Sequence, residues 1–182
     1  MRRGFSLIEM LVVVGVFAIL GVVVAQTTVT SLRSSRKSDT TVTIRENLEL
    51  ATATIDRKLR NATEIDAEPA DPLVNSCDKN AVGPVTVSAF SYINVDKTQG
   101  GFTCADIGAA NGRLVFNDIE NGEDQDLTSM DVTLTFCEFV CTPPSVGVPQ
   151  SLGVVLVGMD SAGGGIEGAQ ISVDTQINLR SY

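Results

Sequence analysis

The 182-residue chain contains no histidine, which removes the commonest general base and the commonest metal ligand from its chemistry. Without it no Ser-His-Asp set can form, and no Gly-x-Ser-x-Gly elbow is present either. The glycine run Gly163-Gly164-Gly165 lacks the following Lys and Ser/Thr of a phosphate loop. Positive charge is scarce: 13 Lys and Arg stand against 22 Asp and Glu, a net charge of −9. That balance opposes a nonspecific grip on nucleic acid or anionic lipid, so no direct nucleic-acid binding is expected. These absences point away from an enzyme. The length leaves room for one long anchor and one modest domain.

What the chain does have is concentrated at its start. Met1-Arg-Arg-Gly4-Phe5-Ser-Leu-Ile-Glu9-Met10 runs directly into an aliphatic stretch that continues to Ala25. The apolar block from Phe5 to Ala25 matches the length of about 20 residues that a helix needs to cross the hydrocarbon core. Glu9 is the anomaly within it. A carboxylate inside such a span costs on the order of 2.5–3.5 kcal/mol even on lenient insertion scales, so it reads as a functional residue in need of a partner. Arg2 and Arg3 before the span place the start in the cytoplasm and the body outside, with Arg33, Arg36 and Lys37 voting weakly the other way. A secretory signal peptide cut near Val23-Val24-Ala25 is one bland alternative, but its apolar core would exceed the usual length of about 7–15 residues and contain Glu9. A plain uncleaved anchor fits the length and leaves Glu9 without a role.

The opening resembles the class III signal of type IV pilins and type II secretion pseudopilins, in Gly4, Phe5, Ser6, Leu7, Ile8 and Glu9. The resemblance implies that residues 1–4 are a leader removed by a prepilin peptidase cutting between Gly4 and Phe5. It further implies N-methylation of Phe5 and pairing of Glu9 with the Phe5 amine of a neighbouring subunit during assembly. Such pairing would neutralise a charge otherwise left alone in an apolar setting. Expected partners are other pilin or pseudopilin subunits, the peptidase, an inner-membrane assembly platform and the membrane itself. The expected location is the inner membrane, single-pass, with the body in the periplasm or outside the cell and the chain incorporated into a filament. Many members carry a proline just beyond the apolar half; here Gln26 and a Thr/Ser-rich stretch stand instead, so any local melting must come from those weak helix formers. That departure favours the pseudopilin or minor-subunit side.

Beyond the span, Ile44, Leu48, Ala51, Ile55, Leu59 and Ala62 recur at spacings of three and four, one face of a helix. A single helix from Phe5 to Ala62 is predicted, roughly 87 Å long at 1.5 Å per residue. Residues 5–25 would form its membrane or filament-core half and 26–62 an amphipathic half that lends one face to a domain core. The turn formers of Glu68-Pro-Ala-Asp-Pro72 place a loop across 66–80, opening a β-rich exported domain over 63–182. Strands are predicted at 85–95, 113–117, 131–139, 152–159 and 170–179. Val132, Leu134 and Phe136 should share one face, as should Ile171, Val173, Ile177 and Leu179, and Gly163-Gly164-Gly165 suits a hairpin loop. The expected fold is α+β and pilin-like, an antiparallel sheet laid on the long helix. Asn111-Gly-Arg-Leu-Val-Phe116, Asp126-Leu-Thr-Ser-Met-Asp-Val-Thr-Leu-Thr-Phe136 and Thr175-Gln-Ile-Asn-Leu-Arg180 resemble the J-type pseudopilins and W-type minor pilins, low-abundance subunits of a filament tip.

Two further expectations concern side-chain sets. The four cysteines, Cys77, Cys104, Cys137 and Cys141, fall in the exported part, where thiols are oxidised, so two disulfides are expected. Cys77–Cys104 with Cys137–Cys141 is the expected pairing, although four extended steps cover about 13 Å against a limit of roughly 7 Å, so the chain must turn at Glu138-Phe139-Val140. A cross-pairing of the early cysteines with the later two stays open, and a four-cysteine zinc site fits the spacing poorly. Asp118, Glu120, Asp124 and Asp126 surround Gly122, and with calcium sites known in related pseudopilins they are calcium candidates, though the spacing fails the twelve-residue calcium loop. No other cofactor is expected. The overall expectation is a minor pilin or pseudopilin; the rivals are a membrane-anchored adhesin or ligand-binding protein, and a DNA-uptake pseudopilin.

Overall fold

The computed structural model describes residues 6–66, 83–146, 148–161 and 169–179. The loop expected across 66–80, the glycine run Gly163-Gly164-Gly165 and Cys77 therefore fall outside the described residues, save for Asp66. The chain divides into two compact units, Met1–Asp39 and Thr40–Tyr182. One helix, α1 (Leu7–Leu59), contributes to both.

In the first unit α1 opens directly after Ser6, a residue type favoured at helix N-caps, whose carbonyl accepts from the amides of Glu9 (3.0 Å) and Met10 (3.2 Å). The Thr/Ser stretch does not melt. Thr27 and Thr28 each donate a hydroxyl hydrogen bond to the Val24 carbonyl and Thr30 donates to that of Gln26, all at 2.9 Å, so the hydroxyls are satisfied along the helix itself.

In the second unit α1 buries Ile44, Leu48, Ala51, Thr52, Ile55 and Leu59, the face predicted from their spacing. Thr52 is accommodated on that face because its hydroxyl donates to the Leu48 carbonyl at 2.9 Å and is not left unsatisfied. The helix stops at Leu59, with Arg57 and Lys58 in the last turn facing the negative end of its dipole. It ends short of Ala62, which instead opens the strand β1 (Ala62–Asp66) and is still fully buried.

The remaining strands are β2 (Val85–Val87), β3 (Ala89–Asn94), β4 (Gln99–Ala105), β5 (Arg113–Asp118), β6 (Glu123–Asp126), β7 (Val132–Thr142), β8 (Ser151–Asp160) and β9 (Gln170–Asn178). They form two antiparallel sheets, a five-stranded β1-β3-β4-β5-β6 and a four-stranded β2-β7-β8-β9. The α+β architecture with a long N-terminal helix packed on antiparallel sheet is thus present, but with two sheets in place of one. The segment predicted as a single strand, 85–95, divides at Ser88: β2 joins β7 in one sheet and β3 joins β1 and β4 in the other.

Strands β1, β4 and β6 escape the sequence pattern. β4 carries Gly100 and Gly101, a residue type that weakens strand propensity, yet Gly100 lies opposite Tyr92 and a Cβ there would meet Tyr92 Oη at 2.7 Å. The tyrosine ring occupies the space, so only glycine fits. β6 is Glu-Asp-Gln-Asp and exists through its pairing with β5. The predicted face Val132, Leu134, Phe136 is also corrected: the register with β8 shifts between Leu134 and Phe136, leaving Phe136 43% exposed while Cys137 and Phe139 turn inward. A bulge re-aims every side chain beyond it. β9 keeps its alternation, with Ile177 and Leu179 buried and Ile171 and Val173 packed against the core.

Aromatic rings join the two sheets. Phe90, Phe102, Tyr92 and Phe116 of the first stack at centroid separations of 5.3–5.9 Å, and Phe139 of the second meets Phe90 edge-on at 4.8 Å. Burial, and secondarily the charge of Asp118, push the Tyr92 phenol up to about 12. Helix α1 closes the core at Gly158 of β8, where a Cβ would lie 3.3 Å from Leu48 and 3.4 Å from Ile44. At its far end Lys58 sets its ammonium 4.5 Å from the Phe116 ring centroid, a cation–π contact.

Candidate functional site

The residues with the strongest functional signal lie at the start of α1. Gly4 and Phe5, the expected cleavage and methylation positions, fall outside the described residues. Glu9 is described and sits in the first turn of α1, where a carboxylate is favoured by the positive end of the helix dipole. It follows Ser6 at the spacing of a capping box, Ser-x-x-Glu. Around it the helix exposes apolar side chains on all sides: Leu7 is 84% exposed, Phe17 71% and Val24 62%. A helix that is apolar all round has no water-facing side, so it requires lipid or other helices as its surroundings. This helix is long and apolar enough to cross a membrane. Glu9 thus combines a carboxylate with a surface that water does not suit.

The other predicted sets fare differently. Cys104 and Cys137 are disulfide-bonded to each other, with a Cα separation of 5.8 Å. This overturns the expected pairing of sequence neighbours. The physical reason is that Cys137 and Cys141 both lie in the single extended strand β7, which does not turn at Glu138-Phe139-Val140. After the bulge, Cys137 faces β4 of the other sheet, and the bridge therefore links the two sheets. Cys141 is disulfide-bonded as well, and Cys77, outside the described residues, is the one cysteine left.

The acidic residues Asp118, Glu120, Asp124 and Asp126 are not gathered around a common point. Asp118 caps its own turn, accepting from the amides of Glu120 (3.1 Å) and Asn121 (3.2 Å) and from Asn121 Nδ2 (2.8 Å). Those bonds, led by the Asn121 side chain, with Lys58 adding a smaller pull, hold its carboxyl below the usual range. Asp124 accepts from Asn117 Nδ2 at 2.7 Å, and Asp126 faces Arg113 Nε at 3.5 Å. Among the described residues no three His, Cys, Asp or Glu groups converge as a metal site would need.

Sequence reasoning missed two features. Arg113, Asp126, Thr128 and Ser129 line a cleft of about 290 Å3 beside Asn111 and Gly112, with Met130, 97% exposed, on its lining. Gln150 is the second. Only 8% exposed, it accepts from the Ile65 amide through Oε1 (3.4 Å) and donates to the Ile65 carbonyl through Nε2 (3.2 Å). One side-chain amide thereby takes the place of a neighbouring strand along β1, 85 residues away in sequence. No local pattern encodes that.

Comparison with known proteins adds one finding. Residues 1–25 match the family model described as the prokaryotic N-terminal methylation motif. Neither the curated proteins nor the solved structures give a match. The matched segment contains Gly4, Phe5, Glu9 and the whole apolar run, and it supports the type IV pilin and pseudopilin family, a membrane-anchored chain processed by a prepilin peptidase.

Proposed function

We propose that this chain is a minor pilin or pseudopilin, a structural subunit of a type IV pilus or type II secretion pseudopilus placed at or near the tip. The methylation motif of residues 1–25 carries the reading. The exposed apolar half of α1 and the position of Glu9 within it support it physically. Cleavage after Gly4 creates an amine at Phe5, and methylation leaves that amine cationic. While the subunit waits in the inner membrane, with its body in the periplasm, the apolar helix half is solvated by lipid. On assembly it exchanges lipid for the helices of its neighbours, and Glu9 of one subunit meets the Phe5 amine of another. The pairing offsets the cost of a lone buried carboxylate, which is on the order of 2.5–3.5 kcal/mol, and so favours the correctly stacked register over others. Head-to-tail contacts of this kind do not close and therefore build a helical filament. The J-type and W-type resemblances of the later segments support a low-abundance, tip-proximal position, where a subunit lacking an upper neighbour initiates or caps the helix.

The test is direct. Mass spectrometry of the mature chain should find Phe5 as its first residue, carrying one added methyl group; a chain beginning at Met1 or Gln26 refutes the reading. Glu9→Ala should leave processing and the body intact while impairing incorporation into sheared filaments. Normal incorporation of that variant would remove the assigned role.

A further inference from the structure

A sheet edge presents unpaired amides and carbonyls, and proteins shield such edges by shortening, charging or covering them. Among the described residues the two sheets have four edge strands, and three of these are shielded. β2 is only three residues long. β6 places three carboxylates in four residues. β1 is covered by the Gln150 amide. The fourth edge, β9, spans nine residues from Gln170 to Asn178, contains neither proline nor lysine, and has no register shift against β8. Among the described residues nothing lies on its outer side in the sheet order.

Leu179 donates to the Gln150 carbonyl at 2.9 Å, continuing the β8–β9 register by one pair. Antiparallel ladders alternate, so Ile171, Val173, Thr175 and Ile177 bond towards β8. Ser172, Asp174 and Gln176 then point their amides and carbonyls outward, and their side chains lie exposed on the outer sheet face. On that face one cross-strand row reads Glu138, Val155, Asp174, with no cation in it. On the other face Ile171 and Val173 are only partly buried, although they belong to the core side.

From this we infer that the free edge of β9 is a docking site for an extended strand of a second, different protein, with alternating apolar residues and a basic residue set opposite Asp174. Backbone pairing along Ser172, Asp174 and Gln176 supplies the hydrogen bonds. The partner's apolar residues cover Ile171 and Val173, and its cation meets the carboxylate row, an opposite-charge cross-strand pair. A second copy of this chain is the wrong occupant. The fullest antiparallel self-pairing is centred on Asp174 and sets that carboxylate against itself, in a chain whose net charge is already −9.

Amide hydrogen exchange on the full chain in detergent micelles tests this, using nine-residue peptides of alternating Thr and Val with Lys or Glu at the centre, matched to the length of β9. Without peptide, the amides of Ser172, Asp174 and Gln176 should exchange fast and those of Val173, Thr175 and Ile177 slowly. The lysine peptide should slow the first set by about tenfold or more, the glutamate peptide should not, and Asp174→Lys should abolish the effect. Ser172→Pro removes an outward donor without touching the β8 ladder and should do the same. Slow outward amides before any peptide is added overturn the inference, whether this chain's own residues or a concentration-dependent second copy protects them. Outward amides that stay fast in millimolar lysine peptide, or equal protection by both peptides, overturn it too. None of these readouts depends on leader cleavage, so they stand or fall apart from the filament role.

Discussion

Gln150 offers the most quantitative test of how the body is held together. Replacing it with alanine strips the hydrogen-bond partners from both the amide and the carbonyl of Ile65, a residue 1% exposed. A buried backbone group left without a partner costs about 1–3 kcal/mol. The amide contact is long at 3.4 Å and contributes at the low end, while the carbonyl contact at 3.2 Å is the better made. The expected loss is about 2–4 kcal/mol for the pair. For a unit spanning Thr40–Tyr182 that corresponds to a melting temperature lower by roughly 5–15 °C. Gln150→Met separates the polar part from the volume: it fills the same space without the two hydrogen bonds and should retain most of the defect. Thermal unfolding by far-ultraviolet circular dichroism measures the total, and amide exchange at Ile65 localises it. A methionine variant that melts within a degree or two of the parent, with Ile65 still protected, would show that Gln150 does not act as a surrogate strand.

Gly112→Ala should be among the worst single-methyl additions in the chain. The new Cβ runs into the Leu134 carbonyl oxygen, at the point where Leu134 donates its own amide to Gly112 at 2.7 Å, so the loss should reach the upper end of the about 1–3 kcal/mol typical of overpacking. Gly122→Ala has open space and only its φ of 66° to contend with, and should cost about 1 kcal/mol; equal urea midpoints for the two variants would contradict the clash. The double substitution Cys104→Ala with Cys137→Ala opens a crosslink between residues 33 apart, for which loop-closure entropy gives roughly 3–4 kcal/mol. Non-reducing peptide mapping should recover the Cys104–Cys137 pair, and a urea midpoint unchanged by the double substitution would mean the bridge adds nothing to stability.

The helix was legible because its signal is local. Residues at spacings of three and four from Ile44 to Leu59 all bury, and the apolar run beginning at Leu7 announces a span by length alone. β9 was legible for the same reason, since its alternation fits within one element. The failures share the opposite property. Ser88 splits a run that looks continuous because β2 and β3 find different partners far along the chain. β4 was hidden by two glycines, Gly100 set against the Tyr92 ring across the sheet and Gly101 against the Phe90 carbonyl, and β6 by acids whose strand depends on β5. The bulge after Leu134 has no residue signature, yet it decides that Phe136 faces outward and Cys137 inward.

The amino-acid sequence by itself determined the N-terminal methylation motif, the membrane-length segment that contains Glu9, and the buried face of the helix. Each of these rests on neighbours within a few residues, where spacing along the chain is spacing in space. That Cys104 meets Cys137 and, among the described residues, which strand edges are shielded and which has no neighbour were decided only by the tertiary structure. Those depend on residues brought together across tens of positions, such as Gln150 on Ile65 and Cys104 on Cys137, and a register shift of one residue in β7 reassigns which of its side chains reach the core.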